Sequence, residues 1–549
     1  MLTFGNGLFS HRVSGVSAVS ASQEDFNGLS APYTKITVQR GEETAVFCLW
    51  QDLPVVFVPD CREKELFTLQ GEHWTIRCIK LSAFTDDFDT LTTEKEVHLF
   101  ARAIRNVEGD IFYFENQQTG EAAILVSETP DYITAKLTVR GGVVSVENEE
   151  NSVAFGFCKA GECEALCRNY YRHAVLRKEL VTMSNTWGDR NGFSRVCNDF
   201  VLKEIDAGAQ IGIDVVQIDD GWQLGSTQDK ALRDEKGRRF FPDVFWELAD
   251  SKFPNGMKSV ADYAAKSNIR VGLWFAPDSH DNFGTLERDK AVLKKAYDQW
   301  SMRFFKLDMF WVTNREEQKR FLELLEFIYR LGDDVAVQLD VTRNLRMNYL
   351  CGKEYGNVFV ENRYTKSANS FPHRILRNLW MIGKHIPTSK FQFEVINPDL
   401  NRECYAEDDP FAPGLYDMDY LFASVMLSNP LFWMEMQFLP DERKAQLQKI
   451  MPVWKEYREK LAKADVMPIG EKPSGRSFTG FRIQTDEDEV YLLLFREVTD
   501  RETAVMQVPV AAGKAEVLAS NGDVDVTVEN GCVRATFGKP RCYAFVKVL

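Results

Sequence analysis

At 549 residues the chain exceeds what one hydrophobic core supports, and with 44% hydrophobic and 12% aromatic residues it predicts two to four packed domains and excludes intrinsic disorder. The net charge of −15 excludes a polyanionic partner such as nucleic acid, because phosphate backbones are bound by concentrated Lys and Arg. Eleven cysteines without a CxxC pair exclude a disulfide framework or a cysteine zinc site, and Cys158, Cys163 and Cys167 lack the paired spacing and histidines of one.

The N-terminus, "MLTFGNGLFSHRVSGVSAVS", has no continuous apolar leader, and no apolar run is long enough to span a bilayer. The expectation is a cytoplasmic protein, or a secreted or periplasmic one if a leader has been removed, with no membrane partner. Residues 1–175 read as short alternating strands with turn signals, among them "YTKITVQRG", "DIFYFENQQTGEAAILVS" and "DYITAKLTVRGGVVSVENE", and predict a β-sandwich. "GECEALCRNYYRHAVLRKEL" then takes on helical spacing.

Over residues 176–463 short apolar runs suited to strands buried on both faces alternate with amphipathic helices. The runs are "SNTWG", "DVVQIDDGW", "IRVGLWFAPD", "RFFKLDMFW", "DVAVQLDVT", "NVFVENRY", "KFQFEVINP" and "LFWMEM". Eight β/α units of this size predict a (β/α)8 barrel. "GEKPSG" reads as a linker to a small C-terminal β-domain, residues 464–549, with strands "VYLLLFREV", "AVMQVPV" and "RCYAFVKVL".

Active sites of such barrels form at the C-terminal ends of the strands, so acids that terminate an apolar run are the residues to examine. Asp219 and Asp220, Asp278, Asp308, Asp340 and Glu361 all do so. Any one of them can be a helix cap or half of a buried ion pair. A ring of such acids instead needs cations or hydroxyls to compensate its repulsion. No His or Cys accompanies them, so neither metal nor cofactor is expected, although oxygens alone could hold Mg²⁺ or Ca²⁺. A sugar suits them better, because Trp187, Trp222, Trp274 and Trp311 add flat apolar faces, each of which could equally be core.

Glycoside hydrolysis needs two carboxyls flanking the scissile bond. With "RFFKLDMFW" as strand four and "NVFVENRY" as strand six, their ends lie about 9–10 Å apart across the sheet. Side chains leaning over the mouth then approach roughly 5–6 Å, the separation of retaining enzymes. On that reading Asp308 attacks the anomeric carbon and Glu361 protonates the leaving oxygen. Lys306, two residues before Asp308 on the same face, keeps the nucleophile ionised and donates to a ring hydroxyl. The competing readings are a Lys306–Asp308 structural pair and neutralisation of Glu361 by Arg363.

"NTWG", "IGIDVVQIDDGWQ", "GLWFAPD" and "FFKLDMF" together resemble glycoside hydrolase family 36, mostly α-galactosidases, in the clan shared with families 27 and 31. The resemblance implies a sandwich, barrel and C-terminal β-domain over the whole chain. It also implies Asp308 as nucleophile, Lys306 as a sugar-hydroxyl ligand, Asp219 and Asp220 on the galactose 4- and 6-hydroxyls, and Trp187 lining the pocket, with Trp274 also expected at the substrate. Departures follow: Leu307 replaces the family's usual Trp, Ala276 stands where an acid is common, and "QLDVTRNLR" replaces a Cys-Ser-Gly-Gly-like loop, so that Asp340 and Arg343 fill that space. Glu361 replaces the family's acid/base aspartate, with Arg363 nearby as a further substrate contact. The expected activity is a retaining α-galactosidase acting on an oligosaccharide or glycoside. The alternatives are a transglycosylase of raffinose-synthase type and a non-catalytic sugar-binding barrel, and a homo-oligomer is compatible with any of them.

Overall fold

The structure is a computed structural model that describes residues 2–5, 9–26, 29–81, 91–99, 103–147, 151–188, 192–225, 232–342 and 352–549. Two antiparallel sheets, of six and nine strands among the described residues, stack as a sandwich ending at Lys159. The central strands of the nine-stranded sheet are buried on both faces. In its Ile111–Asn116 hairpin strand, Phe112 and Phe114 pack into the sandwich, while Ile111 and Tyr113 face the core shared with the barrel. That double burial explains the continuous apolar runs in this part of the sequence.

Helix α1 (Cys163–Ala174) packs across the sandwich and leads into the barrel. The barrel strands are β1 (Met183–Asn185), β2 (Val215–Ile218), β3 (Arg270–Phe275), β4 (Phe304–Leu307), β5 (Ala336–Asp340), β6 (Asn357–Phe359), β7 (Phe391–Val395) and β8 (Asn429–Phe432), all parallel and closed by pairing of β8 with β1. Each overlaps or adjoins one of the eight predicted runs. Outward side chains such as Phe305, Leu307, Val358 and Val360 join the main core, whereas Met183, Val215, Phe304, Ala336, Phe359 and Leu431 fill the interior. The helices include α2 (Asn198–Ile211), α3 (Gly256–Ala265), α4 (Leu286–Trp300), α5 (Arg315–Tyr329), α6 (Pro372–Ile382), α7 (Met418–Ala423) and α8 (Asp441–Lys463). No helix among the described residues is long and apolar enough to cross a membrane.

Helix α8 passes directly into a strand of the C-terminal sheet, Asp465–Gly470, which pairs with Phe478–Gln484. "GEKPSG" is therefore the hairpin turn between these strands and not a linker. The buried Glu497 carboxylate fixes it by accepting from the backbone N–H of Ser474, Gly475 and Ser477 at 2.8–3.0 Å. A turn whose amides are satisfied by a distant side chain looks, in sequence, like a flexible connector.

Candidate active site

The strand ends repeat one pattern: a polar residue, an outward apolar residue, then an acid. It reads Gln217-Ile218-Asp219, Lys306-Leu307-Asp308, Gln338-Leu339-Asp340 and Gln392-Phe393-Glu394 on β2, β4, β5 and β7. Period-two alternation turns the first and third residues of each triplet into the barrel. The acids then form an upper ring over a layer of amides, where Asn185 donates to Gln217 Oε1 at 2.7 Å and Gln338 Nε2 donates to Gln392 Oε1.

Lys306 stands at the centre. Its Nζ donates to Asp219 Oδ2 at 3.0 Å and lies 3.1 Å from Asp340 Oδ2 and 4.0 Å from Asp308 Oδ2. Burial alone would lower the ammonium's pKa, but the three carboxylates hold it above its ordinary value. Asp219 also accepts from Asn185 Nδ2 at 2.8 Å, and Asp340 Oδ1 accepts from Thr342 Oγ1 at 2.7 Å and Thr342 N at 3.1 Å.

Asp308 is gripped differently. Its N–H continues the ladder to Phe275 O, Oδ2 accepts from Trp274 Nε1 at 2.9 Å, and Oδ1 accepts from Met309 N at 2.6 Å. Its side chain is 19% exposed against 2–6% for Lys306, Asp219 and Asp340, so it is the member of the group that meets the mouth. Burial, then the Asp340 charge, push its carboxyl up to about 7 against the pull of Lys306. The sequence-based expectation that Lys306 serves Asp308 is thus modified: the ammonium is shared, and its nearest partners are Asp219 and Asp340.

Asp220 lies beside this group, accepting from Gln223 Nε2 at 2.6 Å. Trp187 is half-buried at the end of β1, its N–H held by Asn185 Oδ1 at 2.7 Å. Trp222 is core, donating to Trp274 O at 2.9 Å, and Asp278 is bound to Arg288 Nη2 at 3.1 Å. Arg343 lies outside the described residues.

Glu361 follows β6 at the same end of the barrel, but it is completely buried. Its Oε1 accepts from Asn378 Nδ2 on α6, and its Oε2 is 3.5 Å from Arg363 Nε. Arg363 is equally buried and donates from Nη1 to Asn369 O at 3.0 Å. Their side-chain contacts run toward α6 and Asn369, while the Arg363 backbone N–H reaches Glu394 on β7 at 2.8 Å.

Glu394, which sequence reasoning passed over, accepts from Arg363 N at 2.8 Å, and Trp433 beyond β8 packs by Lys306. The repeated polar-x-acid pattern is the signal that could have found Glu394; an isolated Trp after a strand carries no comparable signal. Among the described residues no three His, Cys, Asp or Glu side chains converge as a metal site.

A closed barrel presenting strand-end acids around one lysine, between a β-sandwich and a β-domain, defines the class as a three-part (β/α)8-barrel protein with its candidate site at the strand ends. The Melibiase family model matches residues 154–304, from the sandwich's last strand to the first residue of β4. α-Galactosidase Mel36A of Lactobacillus acidophilus is 30% identical over 82 residues, 15% of this chain and 10% of that protein. An α-galactosidase of Escherichia coli is 25% identical over 115 residues, 19% and 14% of the two chains. These matches span only about a tenth of the curated relatives' length. The glycoside hydrolase family 36 α-galactosidase AgaA of Geobacillus stearothermophilus shares the fold at a TM-score of 0.64 and 12% identity, covering 98% of this chain and 86% of its own; AgaA variants have been solved in complex with raffinose and with stachyose. The chain is thus similar to α-galactosidases over part of its sequence and shares the fold of a family 36 α-galactosidase.

Proposed function

We propose that the protein is a retaining α-glycosidase that hydrolyses terminal α-galactosides through a covalent glycosyl–Asp308 intermediate. The observation that carries this reading is the setting of Asp308: two donors aim its oxygens, Lys306 sits 4.0 Å away, and the carboxylate reaches the barrel mouth. A carboxylate with its rotamer locked by Trp274 and Met309 attacks from one direction, which is what displacement at an anomeric carbon requires. Lys306, Asp219, Asp220 and Asp340 supply donors and acceptors for sugar hydroxyls. The Melibiase match and the oligosaccharide complexes of AgaA support the substrate class.

A second reading, a sugar-binding barrel without an effective proton donor, is favoured by the burial of Glu361 between Asn378 and Arg363. Leaving groups separate the two. A hydrolase turns over both a galacto-oligosaccharide and an aryl α-galactoside, whereas a barrel lacking the donor reacts only with the aryl substrate, which needs little protonation. Asp308→Asn is expected to lower kcat on the aryl substrate by roughly 10³-fold or more. Glu361→Gln is expected to spare the aryl substrate and to cut the oligosaccharide if Glu361 is the donor; with both unchanged, Asp340 takes that role. Excess acceptor sugar followed by product analysis distinguishes hydrolysis from transfer.

A further inference from the structure

We infer that Trp433 is the floor of the sugar site, receiving the apolar face of a galacto-configured pyranose and donating its indole N–H to a sugar hydroxyl; the inference rests on the α-galactoside reading. In the closed strand order β8 stands opposite β4. Trp433, the first residue past β8, nonetheless brings its ring centroid within 5.3 Å of Lys306 Nζ on β4. It also packs at 5.3 Å from the Phe359 ring on β6 and 6.0 Å from Tyr364, with half-buried Trp187 against the same cluster. An indole that touches residues from β4 and β6 spans the barrel axis, at the level of the Lys306 ammonium that binds Asp219 and Asp340.

The position is held by backbone packing. Trp433 N–H donates to Val395 O at 2.9 Å, and a Cβ on Gly188 would lie 2.5 Å from the Trp433 carbonyl carbon, so β1 and β8 close on each other there. The indole nitrogen is buried and has no hydrogen-bond acceptor among the described residues. Buried indole N–H groups normally have one, because leaving the donor unmade costs its desolvation. A ligand hydroxyl satisfies it. The chemistry selects the sugar: an axial 4-hydroxyl leaves the C–H bonds of C3, C4 and C5 on one face as a continuous apolar patch that fits a flat indole, whereas an equatorial one breaks that patch.

The test incorporates 5-fluorotryptophan into the full chain and follows the ¹⁹F signals, the Trp433 signal being the one missing from Trp433→Phe. On titration with galactose that signal is expected to shift and glucose to leave it unmoved. Trp433→Phe, which keeps a ring but loses the N–H, is expected to raise KM for an aryl α-galactoside roughly five- to tenfold with a smaller change in kcat. A Trp433 signal that stays fixed at galactose concentrations saturating the enzyme overturns the inference and leaves the α-galactosidase reading standing. If the wild-type protein hydrolyses no α-galactoside, that reading fails, and the galactose titration alone still decides for or against Trp433.

Discussion

Lys306 neutralises one charge among three carboxylates, so the group of Asp219, Asp308, Asp340 and Lys306 carries excess negative charge, a setting that favours the oxocarbenium-like transition state of glycoside cleavage. The same excess has a pH signature. On the proposed mechanism Asp308 must be ionised to attack, and burial together with Asp340 raise its carboxyl to about 7, so kcat/KM is expected to fall as the pH drops below about 7. Asp340→Asn removes the neighbouring negative charge, which makes ionisation of Asp308 easier and moves that acid limb to lower pH. The pH profiles of the two proteins on one aryl glycoside check it; an unmoved limb means that Asp340 does not face the nucleophile. At this scale Asp308, Lys306, Asp219 and Asp340 were legible because alternation along a strand assigns faces without any knowledge of neighbours. The surroundings of Glu361 were not legible, because its side chain follows the end of β6, where Asn378 from α6 and Arg363 lie against it.

The barrel strands place their chemistry by closing tightly at one seam. Gly188, at the end of β1, has no room for a side chain: an added Cβ would sit 2.3 Å from Met434 N, on the chain leaving β8. Gly188→Ala must therefore push β1 from β8 and move both Trp187 and Trp433. It is expected to destabilise the protein by about 1–3 kcal/mol through this overpacking and to weaken sugar binding more than stability alone explains. Urea unfolding alongside KM measures the two effects. Met309 follows Asp308 with φ of 59°, a left-handed conformation that turns its N–H back onto Asp308 Oδ1. Strand ends of this kind were foreseeable in position, whereas the turn after α8 was mistaken for a linker because its stabilising carboxylate, Glu497, lies more than twenty residues away.

Across the whole molecule, buried polar ties join the parts. Glu128 of the sandwich accepts from Tyr170 and Tyr171 of α1 at 3.0 and 3.3 Å and lies 3.4 Å from Lys353 Nζ, just before β6; His385 bridges Tyr113 and Glu94; Arg168 of α1 binds Asp465 of the C-terminal sheet. Burial pushes the Glu128 carboxyl up to about 7 against the pull of Lys353. Lys353→Met leaves that carboxylate without its cation and is expected to cost about 3–5 kcal/mol of stability at pH 8. The loss should shrink as the pH falls and Glu128 takes up a proton, which denaturant unfolding at pH 8 and pH 5.5 would show. The sequence by itself determined the three-part architecture, the eight strands and the acids that end them, because hydrophobic period is a local property read residue by residue. Only the tertiary structure decided which acids share Lys306, which one takes a hydrogen bond from α6, and that a tryptophan from β8 crosses to β4, since closing a barrel brings together residues more than a hundred positions apart and no local pattern encodes that distance.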